Sequence, residues 1–327
     1  MRKSVYPTAK PEDYSIPTDA IRQTIEYIRE RNGLELHSFL LLRKGALLWE
    51  EYFRPHEADR LHVLHSVSKS FMATAIGLAQ DQGLLSIEDK LYTFFPQHKA
   101  LFDTELKKEI TLRHLLMMGA GFENREWEIF FGNLNLIAGD LTEAALEVPV
   151  IHKPGEKFEY YSLGSYLLSS AFSQVCPEGI HSYLKRKLFA PMNISSSHWN
   201  VDSIGIPFGG FGMYLTAYDM TKLGQLYLQN GNWEGQQLLS KTFIQEASSK
   251  QIDNAKGDGT DENPHSAAGY GYQFWRNDFG GFRADGMKGQ YIIVLPEQEL
   301  VIVMTSNLEP MQIPMDVIKT QLLPHVR

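Results

Sequence analysis

Apolar residues along this chain recur with two different periods, and the places where the period changes lay out its organisation. Ile21, Ile25 and Ile28 fall at helical spacing behind Thr18, a candidate cap, and Gly33 is placed to stop that helix. Two apolar runs, 39–42 and 47–53, follow, split by Lys44-Gly45, the pattern of a β-hairpin. Phe71, Met72, Ala75, Ile76 and Ala79 then return to the helical period over 66–82, and Gly83 ends the segment. The small residues interleaved there, Ala73, Ala75, Gly77 and Ala79, predict a helix packed on several sides.

From there to about residue 245 the pattern is mainly helix and loop, with helical pieces at 111–118, 141–148 and 164–175. Thr216-Ala217-Tyr218-Asp219 has the form of a capping box, Met220, Leu223, Leu226 and Tyr227 share one face behind it, and Asn230-Gly231-Asn232 breaks the helix. Strand-like runs resume at 270–275, 279–285, 290–295 and 300–306, with Pro296-Glu297-Gln298 as a turn, before a last amphipathic helix at 314–323. Strands at both ends with helices between them predict an α/β (α+β) fold: a sheet assembled from the two termini, residues 1–62 with 266–327, and a mainly helical part, 63–265. A cleft between two such parts is a favoured place for a ligand.

The chemistry-bearing feature is Ser66-Val67-Ser68-Lys69 at the head of the apolar-periodic segment. Residues three apart share one face of a helix, so Ser66 and Lys69 converge. A lysine held in a packed helix is disfavoured in its charged form and becomes a proton acceptor. The plain alternative is a serine cap followed by a solvated lysine. A second element, Pro154-Gly155-Glu156-Lys157-Phe158-Glu159-Tyr160, sets a tyrosine in a loop before a helix. A phenol beside an ammonium is expected to lose its proton more readily, which would let Tyr160 share the Ser66 proton with Lys69. Packed aromatic filler is the alternative. A third element, Ala284-Asp285-Gly286-Met287-Lys288-Gly289-Gln290-Tyr291, is a Gly-rich strand of the kind that lets a ligand or backbone approach. It offers either a backbone donor for an oxyanion or simply a bulged edge.

These blocks, together with Ile110-Thr111-Leu112-Arg113-His114-Leu115-Leu116 and Thr216-Ala217-Tyr218-Asp219, resemble in order and spacing the β-lactamase-related serine hydrolases over residues 35 to 306. That group takes in class C β-lactamases, D-alanyl-D-alanine carboxypeptidases, family VIII esterases and 6-aminohexanoate-dimer hydrolases. The resemblance implies a β-lactamase/transpeptidase-like fold with an antiparallel sheet flanked by helices. It also implies Ser66 as acylated nucleophile, Lys69 as its activating partner and Tyr160 as the tyrosine of a Tyr-x-Asn element. Tyr161 is the competing register. Ser162 stands where that element has Asn, which weakens an expected amide contact to substrate. Ala284-Asp285-Gly286 stands where lactamases have Lys/His-Thr/Ser-Gly, so the cation for a β-lactam or peptide carboxylate is missing and Asp285 would repel one; Lys288 is a candidate replacement. The implied reaction is acyl transfer from an ester or amide, with the N–H groups of Ser66 and Met287 around the oxyanion and β-lactamase activity weak or absent. The competing function is a receptor acylated at Ser66 without turnover.

Composition narrows the rest. With 327 residues, 43% apolar, the chain suits one large or two fused domains. A formal net charge of −8 and no basic block argue against nucleic-acid partners. Cys176 is the single cysteine, so no intrachain disulfide forms. No run approaches the roughly 18 apolar residues of a membrane span, and no apolar segment follows the basic start, so the expected address is cytoplasmic and the expected partner a small ester, amide or peptide-like molecule. His62-Val63-Leu64-His65 lacks the i, i+4 pair of a zinc-hydrolase helix, and no metal or cofactor is expected. The acidic stretch 251–266 lacks a calcium-loop pattern and reads as a solvated loop. Glu143-Ala144-Ala145-Leu146, which echoes part of a class A deacylation motif, reads as amphipathic helix.

Overall fold

The computed structural model describes residues 5–30, 35–126, 128–132, 141–255 and 264–326. Gly33, and Asp258, Asp261 and Glu262 of the 251–266 stretch, lie outside them. In chain order the strands are β1 (Glu35–Arg43), β2 (Ala46–Tyr52), β3 (His62–Val63), β4 (His198–Trp199), β5 (Met213–Leu215), β6 (Asn232–Trp233), β7 (Gln236–Gln237), β8 (Trp275–Arg276), β9 (Phe282–Gly286), β10 (Gln290–Leu295) and β11 (Leu300–Asn307). Six of them form one sheet in the order β2-β1-β11-β10-β9-β8, antiparallel throughout, so the two chain ends do meet in one sheet. Lys44 and Gly45, at φ +49° and +77°, make the β1/β2 turn in the left-handed region that a two-residue hairpin requires.

Alternation along the strands buries both faces of this sheet. Phe39, Leu41, Ile293, Ile302 and Met304 pack on α1 (Thr18–Arg29) and the C-terminal helical turns that begin at Ile313–Val317. Leu40, Leu42, Ile292, Val294, Val301 and Val303 face the helical part of the molecule. There the Ala217–Leu228 helix lies directly on β10 and β11. Gly224 makes this approach possible, since a Cβ would stand 2.6 Å from Val301 Cγ1. Thr216 caps that helix as expected, its hydroxyl accepting from Asp219 N–H.

Three expectations are corrected. Thr18 is the first helical residue, not the cap: Pro17 holds the entry, and the Thr18 N–H goes to Glu12 Oε1 at 2.9 Å. The run 270–275 is strand only from Trp275; Gln273 sits at φ +60° and turns Tyr270 and Tyr272 into the core, where ring burial outweighs the ladder. The run 279–285 pairs only from Phe282, because Gly280 and Gly281 take positive φ in the preceding turn.

Candidate active site

The chain enters the site from β3, which pairs with β5, and Leu64 N–H donates to Met213 O at 2.8 Å. His65 is then held at φ +47°, a left-handed conformation that a non-glycine residue keeps only when its surroundings enforce it. Ser66 follows in a short 3₁₀ turn, His65–Val67, that leads into α2 (Ser68–Asp81). The other serines of the run serve the scaffold. Ser68 Oγ donates to His65 O and accepts from Met213 N–H, while Ser70 Oγ donates to Gln273 O. Ser66 caps nothing with its side chain, and its half-buried hydroxyl faces Lys69.

Lys69 is 1% exposed. Its Nζ lies 3.1 Å from Ser66 Oγ, 2.9 Å from Ser162 Oγ and 2.8 Å from Gly210 O. Desolvation pulls its pKa down from 10.5 to about 8, against the Glu126 carboxylate, which favours the charged form. As a neutral amine it can give N–H groups to Ser162 and Gly210 and turn its lone pair on the Ser66 O–H. Ser162, where an Asn was looked for, therefore contacts the lysine.

Tyr160 closes the third side. Its ring stacks on Trp275, centroids 5.5 Å apart, and Lys69 Nζ stands 4.8 Å from its centroid. Burial drives its phenol strongly upward; the hydrogen bond with Ser66 acts the other way, and the Glu126 and Asp285 carboxylates add to the rise. The expected acidified phenol is thus reversed, with desolvation deciding the direction. Tyr161 turns instead into the protein against Phe122, and its hydroxyl meets no hydrogen-bond partner among the described residues.

On the opposite side, β9 runs past the start of α2. A Cβ on Gly286 would stand 2.5 Å from Leu64 O and 3.2 Å from Val67 N, so only glycine lets the strand lie against the Ser66 turn. Met287, next in the chain, is largely exposed at the β9/β10 turn. Asp285 is not a bare repulsive charge: Arg283, fully buried, donates through Nε to Asp285 Oδ2 at 2.8 Å. Burial raises the Asp285 pKa, and Arg283 holds against it. Lys288, the candidate cation, pairs through Nζ with Glu309 at 2.5 Å, and its charge also acts on His65 beside Ser66.

The pattern of the family described as Beta-lactamase matches residues 21–320. The chain belongs to the beta-lactamase family. Among individual relatives, the 6-aminohexanoate-dimer hydrolase of Paenarthrobacter ureafaciens is 23% identical over 317 residues, covering 91% of this chain and 80% of that protein. Protein flp of Staphylococcus aureus (strain MW2) is 24% identical over 343 residues, and the match takes in 93% of this chain but only 66% of the relative's length. Among solved structures, the octameric penicillin-binding protein homologue from Pyrococcus abyssi superposes with a TM-score of 0.70 at 20% identity, over 92% of this chain and 75% of that one. EstCE1, a hydrolase with promiscuous acyltransferase activity, gives a TM-score of 0.68 at 17% identity, over 92% and 97%. The fold is thus the β-lactamase/transpeptidase-like one that the sequence blocks imply, and the family is one of serine hydrolases.

Some residues at the beta-lactamase-family site were not legible in the sequence. Glu126 accepts a hydrogen bond from Ser162 N–H and acts electrostatically on Lys69, Tyr160 and Tyr161. Gly210 contributes only a carbonyl, and Arg283 reads as an ordinary strand residue. None carries a motif. Among the described residues, no helix is long and apolar enough to cross a membrane.

Proposed function

We propose that the protein is a serine hydrolase that works through an acyl-enzyme on Ser66, with an ester or amide as substrate. The observation that carries this is the coordination of Lys69: a buried amine with a pKa near 8, two positions filled by Ser162 and Gly210, and the third directed at Ser66 Oγ. In this reading the neutral amine takes the Ser66 proton as Oγ attacks the carbonyl carbon. Tyr160, kept as a neutral phenol, relays that proton to the leaving group. The N–H groups of Ser66 and Met287 receive the oxyanion, the close passage of Gly286 along the Ser66 turn holding the two near each other. Water then attacks the acyl carbon and returns the serine.

The Arg283–Asp285 pair favours an ester or amide without a neighbouring carboxylate. It brings no net positive charge to the strand edge where a β-lactam or peptide C-terminus would need one. Incubating the protein with p-nitrophenyl acetate or butyrate, and separately with nitrocefin, while following product and intact mass tests the reading. Steady ester cleavage that disappears in Ser66→Ala is expected, with nitrocefin turned over slowly or not at all. A mass increase on Ser66 with a burst and no turnover would mark an acylated receptor instead, and cleavage untouched by Ser66→Ala would remove Ser66 from the chemistry.

A further inference from the structure

Away from Ser66, three histidines that share no sequence motif meet at one point. His37 comes from β1, His56 from the turn after β2 and His62 from β3, and one ring nitrogen of each lies within 4.8 Å of the others. His37 is the extra residue where the β1/β11 register slips between Leu36 and Ser38, a bulge of the kind that re-aims a side chain. It is 7% exposed, and its ring stacks on His56 at 3.6 Å between centroids. His37 Nδ1 and His62 Nε2 face each other at 2.7 Å.

We propose that His37, His56 and His62 form a binding site for a divalent transition-metal ion of the imidazole-preferring kind, zinc first among them. Each argument is one of donor chemistry. Neutral imidazole is a favoured ligand for zinc, copper and nickel, and the three rings already bring one nitrogen each to a common point. The supports that fix a ligating histidine are also in place. His62 Nδ1 lies 2.9 Å from Val63 O, so its N–H is taken by a carbonyl and the Nε2 lone pair is left inward. His37 Nε2 lies 3.8 Å from Glu35 Oε2, so a carboxylate can receive that N–H once Nδ1 turns to a metal. The tautomer shift moves one proton from Nδ1 to Nε2 of His37 and loses none.

The recess lined by these rings with Ser38, Tyr52, and the opposed charges of Glu57 and Arg60 has a volume of about 10 Å³, room for one water-sized occupant. Two nitrogens on a tetrahedral zinc stand about 3.3 Å apart, so the His37 and His62 rings need to part by roughly 0.6 Å. Three protein ligands leave a fourth position open. An ion here would tie the sheet to β3, the strand that leads through Leu64 and His65 to Ser66. The helical i, i+4 spacing applied to the sequence could not find this set, because a bulge, a turn and a short strand supply it.

The test is titration of the whole, chelator-treated protein with Zn²⁺ by calorimetry, and with Co²⁺ by visible absorption. One ion per chain and a rise in melting temperature are expected, with a Co²⁺ spectrum of tetrahedral type. His56→Ala changes only a half-buried turn residue and should keep the fold, checked by circular dichroism, while weakening Zn²⁺ by more than the roughly 10–100-fold that a lost supporting contact costs. His62→Gln should do the same. Binding unchanged in both variants, or no binding to the unaltered chain at micromolar Zn²⁺, overturns the proposal. Since the titration needs no substrate, its outcome is independent of whether Ser66 is acylated.

Discussion

The two sides of the Ser66 site are built on opposite principles. On the helix wall a cation, Lys69, is buried with no ion pair within salt-bridge distance among the described residues, and its ammonium is met by neutral oxygens of Ser66, Ser162 and Gly210. On the strand wall the cation Arg283 is buried against an anion, Asp285, and further held by His265 O, Asn277 and Ser266. With no contacting anion among the described residues, desolvation shifts the lysine toward its neutral form, as a base must; the arginine is locked to Asp285 and its charge becomes structure. One arrangement stores reactivity and the other rigidity.

The largest effect should come from removing the reactive cation. Lys69→Met is expected to lower kcat/KM for a p-nitrophenyl ester by about 10²–10⁴-fold, the range of a general base, with little loss of melting temperature because an apolar chain fills the same packed site. Ester kinetics beside thermal unfolding separate the two readouts. A variant that unfolds while keeping full specific activity would reverse the roles assigned to the walls.

The strand wall should fail the other way. Arg283→Met leaves Asp285 buried without its partner, and losing one member of a buried pair costs about 3–5 kcal/mol. Denaturant unfolding measures it, and Arg283→Met/Asp285→Asn should recover part of the loss. A double variant no better than the single one would show that the carboxylate is not what suffers.

Legibility in the sequence divides along a similar line. The Lys44-Gly45 hairpin, the Thr216 cap and the Ser66–Lys69 spacing were readable because each depends on residues within one turn of each other. Tyr160 does stand beside Lys69, yet the direction of its pKa runs against expectation, since the burial that decides it comes from Trp275 and Tyr270, over a hundred residues away. Separation along the chain also hid Glu126, 36 residues from Ser162, and Gly210, 141 from Lys69. The 270–275 run looked like a strand because core aromatics and strand aromatics share one alternating pattern until a turn such as that at Gln273 is seen.

Tyr160 bridges the two walls, and the register left open between it and Tyr161 makes a smaller test. Tyr160→Phe keeps the stack on Trp275 but removes the hydroxyl that engages Ser66, and should lower acylation by about 10²-fold, the low end for a positioned proton-transfer group. Tyr161→Phe removes a buried hydroxyl with no partner among the described residues and should leave the rate unchanged and stability equal or slightly higher. Stopped-flow acylation with the two variants decides it, and the opposite ranking would move the site by one residue.

The finest distinction concerns how the helix wall is tuned. Among the described residues, it is the Glu126 carboxylate that holds the Lys69 pKa up against desolvation. With Lys69 acting as the neutral base, kcat/KM should rise with pH through about 8 and then level, because protonated Lys69 cannot accept the Ser66 proton. Glu126→Gln keeps an oxygen for the Ser162 N–H but removes the charge, so less opposes desolvation and the Lys69 pKa falls. The rise should move to lower pH, by less than about one unit for a charge at partly solvated range, and the fraction of plateau activity reached at pH 7 should increase. If the midpoint stays where it was, or moves upward, the lysine is set by burial alone, and the contrast between the walls reduces to the presence or absence of a contacting anion.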